Sequence, residues 1–156
     1  MILTESDKIW LHERNLFYSK KMGIEPPTLC FSIDEAIQAT GNDSQRTRVS
    51  KKYEIEDKIL GFASYSVDEG DKAIVTVLAE KHVALKGKDE FIQRTEVKVG
   101  RKYRHTLIIK HRLGHCEETL IHELFHHAYK KHRHGKLFNK KVVALWEHDG
   151  TLDPFL

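Results

Sequence analysis

Two histidines and a glutamate stand together in the segment His122-Glu123-Leu124-Phe125-His126, which has the pattern HExxH. On a helix, residues four apart lie on one face, so both imidazoles can reach a single metal ion. Zinc lowers the pKa of a water molecule that it binds to about 7, and an adjacent carboxylate can take the proton of that water. The pattern therefore predicts one zinc ion, with Glu123 as the general base.

The residues around the motif favour a buried helix over a solvent-facing one. No proline interrupts the segment, and apolar residues alternate with the histidines: Leu120, Ile121, Leu124, Phe125 and Ala128. A structural zinc ion usually has four protein ligands, often cysteines. Cys116 lies nearly two helical turns before His122, on a poorly matched face, and Cys30 is far away in the sequence. A catalytic site with three protein ligands is the better interpretation.

The third ligand is expected in the segment after the motif, where His132, His134 and Glu147 are the candidates. The stretch from His134 to Phe138 reads HGxxF. Its glycine favours a break between two helices, which would let residue 134 turn back towards the metal.

Together, HExxH and HGxxF resemble the SprT-like zinc metalloproteases, whose eukaryotic relatives digest proteins crosslinked to DNA. The resemblance covers roughly residues 55–147 and includes a strand pair, "LGFASYS" and "AIVTVLA", before the motif helix. It implies that His134 is the third zinc ligand, that Phe138 packs the following helix, and that the reaction is peptide-bond hydrolysis. The zinc-ribbon cysteines of some relatives are missing, and a hairpin near residues 80–105 is inserted.

Other polar side chains have weaker expectations. Tyr65, Tyr129 and His148 are candidates for stabilising a tetrahedral oxyanion. His127 points about 100° away from His126 on a helix, so it is expected to support the site or face solvent rather than bind the metal. Three further histidines are expected at the surface or in helix caps: His105, His111 and His115.

Charge is unevenly distributed along the chain, whose net charge is +3. Residues 1–78 carry 10 Lys/Arg and 13 Asp/Glu, whereas residues 79–156 carry 16 and 10. Two stretches without acidic residues, 97–116 and 129–141, flank the motif and suggest a polyanion such as DNA as a partner. The expected nucleic-acid contacts are Arg101, Lys102, Arg104, Lys130, Lys131 and Arg133.

The elements that must position these residues follow the order helix, strands, two helices. This order predicts an α+β fold, with a small sheet containing antiparallel strands packed on helices and a zincin-like HExxH helix before a C-terminal helix. Residues 41–58 are polar and are predicted to form a long loop. The predicted elements are a helix ending at Gly23, a strand at 28–33, a helix capped by Ser32, hairpins at 60–79 and 91–110, and helices at 114–131 and 136–148.

Helical spacing brings apolar residues of the first helix together, among them Leu11 and Phe17. In the last helix a core-facing stripe is predicted: Leu137, Val142, Leu145 and Trp146. The phenylalanines and tryptophans are expected in the core. The two cysteines are expected to be buried structural thiols in a reducing compartment.

The chain is expected to be one domain, residues 1–156, with a helical and loop part at 1–54 and a catalytic core at 55–147. It has no apolar run that could span a membrane and no secretory signal pattern, so a cytoplasmic location is expected. The function predicted is a zinc metallopeptidase acting on a protein substrate, which would pair with a sheet edge such as "YRHTLIIK". The alternatives are a nucleic-acid-binding protein with a non-proteolytic zinc site and a zinc-dependent hydrolase of another substrate such as RNA.

Overall fold

The structure, a computed structural model, describes residues 1–82, 93–98, 104–109, 112–130 and 136–149, and it gives the backbone alone at 93–98, 104–109, 136 and 146–149. The described α-helices are α1 (Glu5–Met22), α2 (Ile33–Ala39), α3 (Asp43–Ser50), α4 (Gly114–Ala128) and α5 (Lys136–Asp149). The described strands are β1 (Thr28–Cys30), β2 (Gly61–Ser64), β3 (Ile74–Val77), β4 (Gln93–Lys98) and β5 (Arg104–Ile109). Short 3-10 helices lie at Lys51–Lys58 and Ala79–Lys81.

Helix α1 begins at a capping box and ends at a glycine. Thr4 accepts the N–H of Asp7 with its hydroxyl oxygen and donates its own N–H to the Asp7 carboxylate. Gly23 has a φ of 70°, the left-handed conformation that closes a helix, as the sequence predicted. Leu11 is fully buried, but Phe17 is 37% exposed, so its predicted place in the core is wrong. Beside Leu11 and Tyr18, the inward face of α1 carries hydrogen-bonded polar groups: Asp7, Asn15 and Ser19.

Three strands form a mixed sheet in the order β1-β3-β2. The central strand β3 has the sequence Ile-Val-Thr-Val, whose β-branched side chains suit a strand buried on both faces. It runs parallel to β1 and antiparallel to β2, and Gly61 and Ser64 of β2 lie opposite Val77 and Ile74. The first predicted hairpin is therefore confirmed, and among the described strands β2 is an edge of this sheet.

The two faces of β3 contribute to different cores. Val75 and Val77 pack with residues of α1, α4 and α5, whereas Ile74 packs with residues of α2 and α3. Cys116 lies in the first core and Cys30 in the second, and both are free and buried, as predicted. Burial raises the pKa of the Cys30 thiol to about 11 and that of Cys116 to about 12.

Residues 41–58, which were predicted to be a long loop, form α3 and the 3-10 helix that follows it. Asn42 caps α3 by accepting the N–H of Gln45. Gln45 is fully buried and donates to Ser64 Oγ at 3.0 Å and to the Lys72 carbonyl at 2.7 Å. The loop prediction is wrong because the inward face of α3 buries a glutamine, whereas a buried helix is recognised in a sequence by apolar residues at those positions.

The C-terminal part matches the predicted order of elements more closely. Strand β4 pairs antiparallel with β5, which confirms the second hairpin. Helix α5 buries Phe138, Val142 and Val143, whereas Leu137 is 56% exposed and does not belong to the predicted stripe. The predicted α+β class is confirmed. Within the described ranges, no helix is long and apolar enough to cross a membrane.

Candidate metal centre

His122 and His126 lie one turn apart on α4, and both are partly exposed. Their Nε2 atoms are 3.3 Å apart. Two Zn–N bonds of about 2.0–2.1 Å at a tetrahedral angle place the nitrogens about 3.3–3.4 Å apart. The two imidazoles therefore already present one nitrogen each at the spacing that a shared zinc ion requires.

The Glu123 carboxylate completes a group of three. One of its oxygens and one nitrogen from each histidine all lie within 4.8 Å of one another. Strand β2 passes over Glu123 because residue 61 is a glycine. A Cβ atom on Gly61 would lie 3.5 Å from Glu123 Cγ, 2.9 Å from Thr119 Cγ2 and only 2.4 Å from the Thr76 carbonyl oxygen.

The surroundings of Glu123 disfavour its charged form. Burial raises the pKa of the Glu123 carboxyl to about 8, and the positive charge of Lys52 acts in the opposite direction. Within the described part of the chain, Glu123 makes no hydrogen bond or ion pair. A carboxyl group with a pKa near neutrality is suited to both accepting and releasing a proton.

Phe138 of α5 packs directly on both imidazoles. Its ring centroid lies 5.1 Å from that of His122 and 4.9 Å from that of His126, and it also contacts Phe125. The side chain is 2% exposed, so it shields this side of the pair from water. The packing role predicted for Phe138 is confirmed, and in addition its ring limits how far the two imidazoles can rotate.

The third ligand stays a prediction. His132 and His134 lie outside the described residues, and Glu147 lies in α5, where the structure gives the backbone alone. Most of the predicted nucleic-acid contacts also lie outside the described residues: Arg101, Lys102, Lys131 and Arg133. Lys130 is exposed directly after α4, and Arg104 begins β5.

Two buried histidines hold α4 against the rest of the fold. His82, which the sequence analysis missed, donates from Nδ1 to the Leu78 carbonyl and accepts the Thr119 hydroxyl at Nε2, both at 2.7 Å. His127 donates from Nε2 to the Ile74 carbonyl at 3.0 Å. His127 therefore supports the site and does not face solvent. Burial lowers the pKa of both imidazoles, which favours their neutral forms.

A buried ion pair fixes the opposite side of α4 to α1. Arg14 Nε donates to Glu117 Oε2 at 2.9 Å, and Arg14 Nη2 donates to the Tyr18 hydroxyl at 2.7 Å. Arg14 and Glu117 are 103 residues apart. No local pattern could have predicted their contact.

Among the candidates for stabilising an oxyanion whose side chains are described, Tyr65 lies close enough to Glu123 to interact with it electrostatically. The rings of Tyr65 and His127 pack edge to face with their centroids 5.2 Å apart, and burial and then the charge of Glu123 raise the pKa of the Tyr65 hydroxyl. The Tyr129 ring is stacked on Phe125 with the Lys141 ammonium over it. The side chain of His148 is not among those described.

Comparisons of the chain with models of protein families, with curated proteins and with solved structures found no match. The interpretation of the centre therefore depends on its own residues. His122, Glu123 and His126 form a group that can bind a metal ion.

Proposed function

We propose that this protein is a zinc-dependent metallopeptidase. The observation that carries the proposal is the 3.3 Å separation of the His122 and His126 Nε2 atoms beside the buried Glu123. A clamp that only holds a metal has no need of a carboxylate beside its ligands. Two neutral imidazoles are common zinc ligands, and His134 is proposed as the third.

Zinc bound by these histidines would polarise the scissile carbonyl and acidify the attacking water. Glu123 takes a proton from that water as the water oxygen bonds to the carbonyl carbon. The same carboxyl then delivers the proton to the amide nitrogen as the C–N bond breaks. The Phe138 ring keeps the two imidazoles oriented while the proton moves.

The substrate is proposed to pair with β2, an edge of the three-stranded sheet. The strand predicted from the sequence to pair with the substrate was β5, but β5 pairs with β4 in a separate sheet. Strand β2 is the better platform because its first residue, Gly61, lies against Glu123. Leu60 and Val67, which flank the strand, are 53% and 73% exposed. An extended segment with apolar side chains suits such an edge.

The sequence pattern supports a SprT-like assignment and a nucleic-acid partner. HExxH and HGxxF occur in the expected order, and the contact of Phe138 with both imidazoles fits an aromatic that anchors the last helix. Lys130 and Lys140 follow the HExxH motif closely in the sequence and are exposed, which is consistent with a polyanion partner. We therefore propose DNA-associated proteins in the cytoplasm as substrates.

Hydrolysis of an unfolded protein is the direct test. The zinc-loaded protein should cleave casein, a strong chelator should abolish cleavage, and added zinc should restore it. Adding DNA to the assay at low and high salt tests the polyanion, since binding to phosphates weakens steeply as salt rises. Cleavage of RNA without cleavage of protein would favour a zinc-dependent RNA hydrolase instead.

The metal is tested separately by measuring zinc in single alanine variants. Wild-type protein should hold about one zinc per chain. His122→Ala and His126→Ala should lose it, and His134→Ala should bind it much more weakly. If His134→Ala binds zinc normally while His132→Ala or Glu147→Ala does not, the SprT-like assignment fails. Stoichiometric zinc in both His122→Ala and His126→Ala would refute the assignment of the metal site to these histidines.

A further inference from the structure

Tyr65 lies just beyond the edge strand β2, beside the same face of α4 that carries Glu123. Strand β2 runs alongside α4, and Gly61 at its beginning meets Thr119 and Glu123. Tyr65 directly follows the end of β2, and its ring meets His127, one helical turn beyond Glu123. Glu123 and Tyr65 therefore lie along the same seam between α4 and the sheet.

The orientation of the Tyr65 ring is determined by its buried neighbour. The two rings meet edge to face, with centroids 5.2 Å apart and planes at 71°. His127 is itself fixed, because its Nε2 atom donates to the Ile74 carbonyl of the central strand at 3.0 Å. This chain of contacts connects Tyr65 to β3, the most buried strand of the sheet.

The Tyr65 hydroxyl is available as a hydrogen-bond donor. It makes no hydrogen bond within the described part of the chain. Burial, and then the negative charge of Glu123, raise the pKa of the Tyr65 hydroxyl, so it stays protonated at neutral pH. The hydroxyls of the other tyrosines near the core have different surroundings. Tyr18 accepts a hydrogen bond from Arg14, and the Tyr129 ring stacks on Phe125 and has the Lys141 ammonium over it.

We propose that Tyr65 is a catalytic residue whose hydroxyl donates a hydrogen bond to the scissile carbonyl oxygen as that oxygen becomes an oxyanion. The inference rests on the proposed function. When water attacks, the new C–O bond forms, the π electrons of the carbonyl move to its oxygen, and Glu123 takes the water proton. Tyr65 keeps its own proton and binds the developing charge. When the C–N bond breaks, the carbonyl re-forms and this hydrogen bond weakens.

The test compares Tyr65→Phe with wild type in the zinc-loaded protein. Losing one oxyanion donor should lower kcat by about 10²–10³-fold, while KM and zinc content stay near wild type. Tyr53→Phe is the matched control, because it removes the same atom from an exposed tyrosine whose hydroxyl donates to Asp34. A wild-type kcat in Tyr65→Phe would overturn the proposal, as would an equal loss in Tyr53→Phe.

Binding of a phosphinic peptide, which mimics the tetrahedral oxyanion, provides a readout that does not need turnover. Tyr65→Phe should bind it at least 10-fold more weakly than wild type does, while both proteins bind the cleaved product peptide equally. A purely structural role for Tyr65 would weaken both ligands together and would overturn the assignment. If wild type binds the phosphinic peptide but hydrolyses no protein, the peptidase proposal fails, and the affinity of Tyr65→Phe still decides the role of Tyr65.

Discussion

Helix α4 buries two carboxylates, Glu117 and Glu123, and their surroundings differ. Glu117 faces α1 and accepts a hydrogen bond from Arg14 at 2.9 Å. Glu123 faces the edge strand and has no such partner in the described part of the chain. A buried carboxylate that is paired with its counter-charge holds two helices together. A buried carboxylate without a counter-charge stays buried only because the surrounding residues are packed around it. Unfavourable burial of this kind is typical of groups that react.

A third glutamate on the same helix, Glu118, is less buried than either of these two. Glu118 is only partly buried, and burial alone raises the pKa of its carboxyl to about 7. It lies one turn before His122. Substituting the three glutamates one at a time therefore separates three effects on α4: ion pairing at Glu117, reactivity at Glu123 and desolvation at Glu118.

Glu123→Gln is expected to have the largest effect of the three. It removes the general base without removing a histidine ligand, so kcat should fall by about 10²–10⁴-fold. Zinc content should not change, and the free energy of unfolding should stay the same or rise, because the substitution removes a carboxyl that is buried without a partner. Steady-state hydrolysis, metal analysis and urea unfolding measure the three quantities. Wild-type turnover in this variant would exclude Glu123 from the mechanism.

Glu117→Gln should give the opposite result, a loss of stability with normal chemistry. It leaves the Arg14 guanidinium, whose side chain is 19% exposed, without its counter-charge. Breaking such a pair from one side should lower the free energy of unfolding by about 3 kcal/mol. Zinc content and kcat, measured below the unfolding transition, should stay near wild type.

The matched control for Glu117→Gln is Glu13→Gln on the exposed side of α1, which should change stability by less than about 0.5 kcal/mol. The double variant Arg14→Met/Glu117→Gln should recover part of the loss, because no guanidinium then remains beside a neutral residue 117. A loss below about 1 kcal/mol for Glu117→Gln alone would show that the pair contributes little, and the contrast with Glu123 would disappear.

The parts of the fold that local pattern determines could be predicted from the sequence. HExxH identified the centre because the helical period alone brings His122 and His126 together. The hairpins and the Ser32 cap of α2 were also found, since turn residues and capping side chains act over a few positions. The phenyl ring of Phe138 was assigned to the packing of the last helix from the HGxxF resemblance, and the structure agrees.

What could not be predicted depends on polar groups that are buried with distant partners. Gln45 is buried in α3 because it bonds to Ser64 and Lys72, whereas composition alone predicts a loop for its segment. The hydrogen bond of His82 to Thr119 joins residues 37 positions apart. Gly61 is required by close packing on α4, which is visible only after β2 is placed. None of these contacts leaves a periodic signal.

Glu118→Gln should have the smallest effect, and it should appear only as a change with pH. The pKa of this carboxyl is about 7 in the folded protein and 4.5 in an unperturbed glutamate, so the folded state binds more protons between these values. The contribution of Glu118 to the free energy of unfolding should therefore fall as pH rises from about 4.5 to about 7 and should then level off. The shift sets an upper limit of about 3 kcal/mol, and partial exposure reduces the expected difference to about 1–2 kcal/mol.

Glutamine cannot ionise, so Glu118→Gln should equal wild type in stability near pH 4.5 and exceed it by about 1–2 kcal/mol at pH 8. Urea unfolding at a series of pH values, with a chelator present, measures the difference. The exposed Glu80→Gln is the control and should show no such growth with pH. If the advantage of Glu118→Gln is already complete at pH 5, the carboxyl is not desolvated. In that case only Glu123 on this helix would be a carboxyl held in an unfavourable environment.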